Sequence, residues 1–277
     1  MKRILVIKKF GSAVFVLLLF LLAVIPAYAK VSLMGSMTHE YNARPGGQYE
    51  DELVIRNSGT DNVIIKLEIR DYFFASDGTT DYMDPGSIER SNASWVKLEK
   101  TRISIAPGTS AKVKFTVNVP DDKSLSGTYW SIAMVEPQSE VQVKEGDQKT
   151  VNLTLHETIR YGVQIVTTIG SSGRKQLEFI KASLNSNDDS TLTLNVDLLN
   201  VGDRWLRPEV WVDLFKEDGS FVARFKGTNK RLFPGTSVKH ILQLGSMKPG
   251  KYMALVVADD GEDYVVGAQY TLDVDRN

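Results

Sequence analysis

Beyond residue 30 the chain alternates apolar and polar residues in short runs, each closed by turn residues. The run Val113-Lys114-Phe115-Thr116-Val117-Asn118-Val119 places an apolar side chain at every second position, which predicts a strand with one buried face. Ala106-Pro107-Gly108-Thr109 turns the chain into it and Pro120 ends it. Residues 53–56 run into Asn57-Ser58-Gly59, residues 63–69 form a mostly apolar run, and Asp77-Gly78 and Asp84-Pro85-Gly86 mark further turns. Past the first 29 residues, no long stretch carries the period of an amphipathic helix. Strands at this spacing predict an all-β chain of antiparallel β-sandwiches.

Two halves repeat one plan. Residues 53–59 end in Asn57-Ser58-Gly59, and Ile105-Ala106-Pro107-Gly108-Thr109-Ser110 follows later. The second half shows Leu198-Leu199-Asn200-Val201-Gly202 and then Leu232-Phe233-Pro234-Gly235-Thr236-Ser237. Each half also has a late Gly-x-Tyr, at Gly127-Thr128-Tyr129 and Gly250-Lys251-Tyr252. The matching order predicts two immunoglobulin-like antiparallel β-sandwich domains, 30–169 and 174–277, with Gly170-Ser171-Ser172-Gly173 between them.

The longest alternation lies just before that boundary. Val151, Leu153, Leu155, Ile159, Tyr161, Val163 and Ile165 occupy odd positions, and only Glu157 breaks the apolar series. Fully extended, residues 151–165 would reach about 50 Å, well past the usual strand of about five or six residues. Residues 138–149, ahead of it, are charged and without period and predict a loop. An alternating edge recruits other chains through its unpaired backbone groups, and a protein can use it to add a strand to a partner. Self-association through the same edge is a further possibility, and an ordinary core role for these side chains is the plain alternative.

Composition changes the picture at the N-terminus. Residues 1–29 begin with Lys2, Arg3, Lys8 and Lys9, continue through an apolar run over residues 13–25, and end Pro26-Ala27-Tyr28-Ala29. This pattern predicts a signal peptide cleaved after Ala29, because the apolar run falls short of the roughly 20 residues a membrane span needs. The expected product is an exported protein, periplasmic or secreted, without membrane insertion after cleavage. Across the whole chain 33 Lys+Arg oppose 34 Asp+Glu, a balance that argues against nucleic-acid binding. There is no Cys and there are 3 His, which excludes a disulfide framework and a thiolate site and disfavours a multi-histidine metal centre.

The segment Val151-Asn152-Leu153-Thr154-Leu155-His156-Glu157-Thr158-Ile159-Arg160-Tyr161 resembles the donor strand of the periplasmic pilus-chaperone family. Residues 95–119, with their Ala-Pro-Gly turn, resemble the middle of that family's first domain. The resemblance implies a chaperone of pilus assembly whose Val151, Leu153, Leu155 and Ile159 complete an exported pilin-like or other surface subunit. It also implies that Arg160 takes the place of the cleft residue that anchors a subunit's C-terminal carboxylate. The family's first-strand basic residue has no counterpart in residues 31–38, and Val163-Gln164-Ile165-Val166 replaces its aromatic-Arg-Pro ending. A second resemblance, over residues 127–137 and the Asn-x-Gly strand of the second half, is to the paired domains of WxL-associated bacterial surface proteins. It implies a structural or adhesive surface module.

Enzymatic readings find little to stand on. No Gly-x-Ser-x-Gly elbow occurs, and His39, His156 and His240 read as surface strand residues. Asp259-Asp260-Gly261-Glu262-Asp263 reads as a hairpin turn; calcium ligation is the alternative, though EF-hand spacing is missing. Trp205, Trp211 and Phe215 read as core or rim of the second half, with a carbohydrate platform as a weaker reading. No catalytic residue, cofactor or metal is expected.

Overall fold

The computed structural model describes residues 30–138, 159–186 and 191–274. The first half contributes β1 (Val31–Met34), β2 (Thr38–Ala43), β3 (Gln48–Asn57), β4 (Val63–Phe74), β5 (Thr80–Met83), β6 (Val96–Leu98), β7 (Arg102–Ile105), β8 (Ser110–Asn118), β9 (Gly127–Gln138) and β10 (Tyr161–Ile169). The second contributes β11 (Leu177–Ser186), β12 (Leu192–Asn200), β13 (Glu209–Lys216), β14 (Phe221–Lys226), β15 (Ser237–Gly245), β16 (Gly250–Asp259) and β17 (Val265–Val274). One 3-10 turn, Ala93–Trp95, is the only helical element among the described residues.

In the N-terminal sandwich the sheet β1-β3-β8-β6 faces the sheet β2-β10-β9-β4-β5, with β7 also joined to β4. In the C-terminal sandwich β11-β12-β15 faces β14-β13-β16-β17. The immunoglobulin-like all-β fold is therefore as the strand spacing predicts, with one departure from an antiparallel plan. β2 pairs with β10 in parallel, from Gln164 opposite Thr38 to Ile169 opposite Ala43. The chain reaches that position by changing sheets. β1 pairs antiparallel with β3 in one sheet, Gly35 adopts φ +95°, and Ser36 Oγ both donates to Thr38 O at 2.6 Å and accepts from Thr38 N–H at 3.1 Å. A left-handed φ is open to glycine at little cost, so the sequence can turn from one sheet to the other within three residues.

Each core is made by the alternating positions. Val113, Phe115 and Val117 of β8 pack with Leu53, Ile55, Ile65, Val163 and Ile165 in the first. Val196, Leu198, Val212, Leu214, Leu242 and Val256 fill the second.

The repeated motifs are the two halves of one hydrogen-bond network, present once in each sandwich. Asn57 and Asn200 are fully buried. Asn57 Nδ2 donates to Asp61 O at 2.8 Å and Ile105 O at 2.9 Å; Asn200 Nδ2 donates to Arg204 O at 2.8 Å and Leu232 O at 3.1 Å. Their Oδ1 atoms accept from the N–H of Gly59 and Gly202, each at 2.9 Å. Their own backbone N–H groups reach Thr109 O and Thr236 O, the threonines that close the two Pro-Gly turns. The side chain thus ties a strand end to a turn far along the chain, and supplies partners to carbonyls that burial has cut off from water.

Two of the three histidines depart from the sequence reading. His39 is partly buried, with Nδ1 2.5 Å from Asp51 Oδ2 and its ring edge-on to Phe115. His156 lies outside the described residues. His240, read as a surface residue, is fully buried, on the same face of β15 as buried Val238, Leu242 and Leu244. Its Nδ1 lies 3.0 Å from Thr228 O, so that nitrogen carries the proton and donates. Burial, reinforced by the charge of Lys230, pushes its pKa down to about 4.

Two predictions follow from these buried groups. Asn57→Ala or Asn200→Ala strands several buried carbonyls and should cost about 2–4 kcal/mol, read as a lowered urea midpoint. The neutral His240 makes stability pH-dependent: the unfolded chain binds its proton below about pH 6.5, whereas the folded chain binds it only near pH 4. Stability should therefore fall by up to about 3 kcal/mol as pH drops through this window and level off below it. In His240→Gln that part of the pH dependence should vanish from a urea-denaturation series.

Candidate functional site

The site is built around β10. Its odd-numbered side chains Val163 and Ile165 are fully buried in the first core, and Tyr161 packs partly buried against it. Gly162 and Gln164 point to the opposite face. A Cβ at Gly162 would lie 2.4 Å from Ile132 Cδ1, so a side chain there would require Ile132 to shift. From Val166 onward both faces are buried, because the C-terminal sandwich sits against this end of the strand.

The two edges of β10 are treated differently. β9 pairs with all of it, from Tyr161 opposite Val135 to Ile169 opposite Gly127. β2 pairs only from Gln164 onward, and the Gln164 N–H donates to Met37 O at 2.9 Å. Residues 161–163 therefore have one strand neighbour among the described residues and an open second edge. Tyr161 Oη donates to Val31 O, which fixes the start of β10 against β1. Three large apolar side chains lie exposed around this stretch: Met34 and Met37 on either side of the sheet change, and Ile159 on the approach to β10, at 49%, 44% and 48%.

Of the residues singled out from the sequence, Val151, Leu153 and Leu155 lie outside the described residues. Ile159 and Arg160 are described and sit together at the open end of β10. Arg160 Nη2 is 3.2 Å from Glu136 Oε1 on the facing end of β9. That end lies about 27 Å along the ladder from Ile169, where the sandwiches meet. The geometry thus places Arg160 at the far tip and corrects its expected position in the cleft: the register of β10 carries residue 160 away from the junction.

Cations at the junction include Arg90, Arg174 and Arg231, which the sequence reading did not select. Arg90 Nη1 donates to Ser126 O at 2.7 Å and Nη2 to Asp203 Oδ1 at 2.6 Å. Asp203 also accepts from the Arg174 N–H, and with the two guanidinium groups this holds its carboxyl below the ordinary range. Arg231 donates to Glu40 of β2, and its guanidinium carbon lies 4.2 Å over the Trp205 ring. Phe233, from the second Pro-Gly turn, stacks on Trp130 at 4.8 Å with the rings 8° apart. Thr128 N–H donates to Asp203 O at 2.8 Å and Trp205 N–H to Thr128 Oγ1 at 3.1 Å. A cavity of about 550 Å³ opens beside these groups, lined by Phe73, Ile88, Trp130, Leu199 and Pro234 among others. Trp205 is thus a junction residue, while Trp211 and Phe215 lie partly buried on β13.

The acidic hairpin is accounted for within the chain. Residues 260–264 join β16 to β17, and the Lys175 ammonium lies 2.8 Å from Asp260, 2.6 Å from Glu262 and 2.6 Å from Asp263. Burial works against its charge, yet the three carboxylates hold this ammonium above the ordinary lysine range. The position a hard cation would take is filled by the protein's own.

No family model matches the chain, and no curated protein matches it. Solved structures do. One, from the chaperone–tip adhesin complex of CFA/I fimbriae biogenesis, is 10% identical with a TM-score of 0.47, over 88% of this chain and 98% of that one. The class 5 fimbriae chaperone CfaA is 11% identical with a TM-score of 0.45, over 86% and 98%. The Escherichia coli chaperone DraB is 11% identical with a TM-score of 0.40, over 88% and 96%. With about a tenth of positions shared, residue roles have to be argued from this chain's own geometry.

The junction offers a test. At Gly127, φ is +72° and a Cβ would lie 2.1 Å from Asp203 O. Gly127→Ala should therefore part the two sandwiches without unfolding either, giving a larger radius of gyration by small-angle scattering and an unchanged far-ultraviolet spectrum.

Proposed function

We propose that this is an exported, non-enzymatic, chaperone-like protein that binds fimbrial or other surface subunits by lending them a β-strand from residues 151–159. The observation that carries the reading is the half-open edge of β10. Among the described residues its first three residues keep a free ladder edge, and in chain order they follow directly on the apolar alternation of Val151, Leu153, Leu155 and Ile159. A strand presented in that way supplies backbone hydrogen bonds to its partner, while alternate side chains fill the partner's gaps. Each leucine so buried contributes roughly 1.5–3 kcal/mol. The parity supports the reading too: Tyr161, Val163 and Ile165 face the protein's own core, so the odd series carries one apolar face from donor segment into sandwich. Arg160, paired with Glu136, stands beside the donated segment in this scheme rather than at a chain terminus in the cleft.

The test is a double variant, Leu153→Glu with Leu155→Glu, compared with wild type for the periplasmic proteins that co-purify with it. Loss of two buried leucines should cost about 3–6 kcal/mol, a weakening of more than about a hundredfold. Small β-rich subunits should disappear from the variant's partners while its circular dichroism stays native. An unchanged partner list from a folded variant would sink strand donation and favour the surface module; an unfolded variant would place both leucines in the core.

A further inference from the structure

Among the described residues, the strands that lie at the sheet edges are guarded, with one exception. β1, β5, β6 and β7 are three or four residues long. β2 turns His39 inward onto Asp51. β11 carries a bulge between Phe179 and Lys181. β14 is six residues long, carries Arg224 and Lys226, and shifts register against β13 between Ala223 and Phe221. β15 is overlaid by residues 228–230, with His240 bonded to Thr228 O and Lys230 Nζ to Lys239 O. Short length, charge, bulges, inward polar groups and covers are the devices by which natural edges avoid pairing with other chains.

Apart from the charge of Asp273, β17 has none of them. It is ten residues long, Val-Val-Gly-Ala-Gln-Tyr-Thr-Leu-Asp-Val, without proline, lysine or arginine, and Asp273 is its one charge. Its ladder with β16 runs unbroken from Val265 opposite Asp259 to Val274 opposite Gly250. Among the described residues β16 is its only strand partner, so the other edge presents a straight row of unpaired N–H and C=O groups roughly 33 Å long.

From this we infer that β17 is a self-pairing edge, joining two copies of the chain antiparallel about a twofold axis at Gln269. The strand is complementary to itself in that register. Gly267 comes opposite the second copy's Thr271 and Ala268 opposite its Tyr270, small against large on both faces of the sheet. Asp273 meets the second copy's Val265, so no carboxylate faces another. The pairing is isologous and closes at two copies, and it fuses two four-stranded sheets into one. Val265 and Leu255, 60% and 37% exposed, lie on the outer face of that continuous sheet. The inference is independent of strand donation, which uses the other sandwich.

Sedimentation of the mature chain across a dilution series tests it, together with two variants at the exposed axis position. Wild type should self-associate as a dimer. Gln269→Lys sets two like charges directly opposite and should raise the dissociation constant by about tenfold or more. Gln269→Cys, in a chain with no other cysteine, should form a disulfide-linked dimer under mild oxidation, because directly opposite Cα atoms in an antiparallel pair stand about 4.5–5.5 Å apart. Three results would overturn the inference: a wild type that stays monomeric at every concentration, whether or not the cysteine variant oxidises on collision; a dimer unmoved by Gln269→Lys; or a dimer whose cysteine variant does not cross-link. Circular dichroism confirms that each variant is folded.

Discussion

The N-terminal sandwich depends on the register of β10. That strand hydrogen-bonds β9 along its whole length, sends Val163 and Ile165 into the core, and lays Val166 against Trp130 and Phe233. Slipping by one residue would exchange every inward side chain for an outward one, exposing two fully buried aliphatic residues and unmaking the junction. Burial on both faces at the Ile169 end therefore locks the strand. Among the described residues the Tyr161 end has one ladder partner, because β2 cannot start before the sheet change at Gly35 is complete. Rigidity at one end and an unfilled edge at the other come from the same strand.

The junction is made by reusing a motif. The Asn-x-Gly turn and the Pro-Gly-Thr turn occur in both sandwiches, and in both they are held by a buried asparagine. Only in the second do they meet another sandwich: Asp203 follows the second Asn-x-Gly and binds Arg90 and Thr128, while Phe233 belongs to the second Pro-Gly turn and stacks on Trp130. The contacts combine a closely stacked aromatic pair with backbone hydrogen bonds and a largely buried ion pair. Desolvated hydrogen bonds of that kind fix geometry more than they add free energy.

What the sequence revealed and what it hid divide along the range of the interactions. Turn chemistry is local, so Asn57, Gly59, Gly108 and their counterparts in the second half could be read directly, and they proved to be one network. Alternation is local as well, and the odd parity of Tyr161, Val163 and Ile165 holds. The parallel pairing of β2 with β10 is set by residues far apart in sequence, and the run of residues 31–38 carried no sign that it divides between two sheets beyond a single glycine. The resemblance implies the cleft for Arg160 because its neighbours fit a motif; its place follows from which end of β10 meets the second sandwich, a tertiary fact. His240 carries a signal of burial in the sequence, since it falls in the even series of Val238, Leu242 and Leu244.

The sheet change has a consequence in time as well as in space. Thr38 hydrogen-bonds Gln164 across 126 residues, so the pairing that completes the first sandwich joins nearly its first strand to its last. Contacts of such long sequence separation are slow to form, because the loop they close has to be ordered first. A chain emerging from its N-terminus cannot finish this sandwich until β10 has emerged, and β2 has no strand neighbour until then. The second sandwich is contiguous in sequence and follows at once. The half-open edge is accordingly among the last features the N-terminal sandwich acquires, and a chain caught before that step exposes β2 and the still uncovered core beneath it.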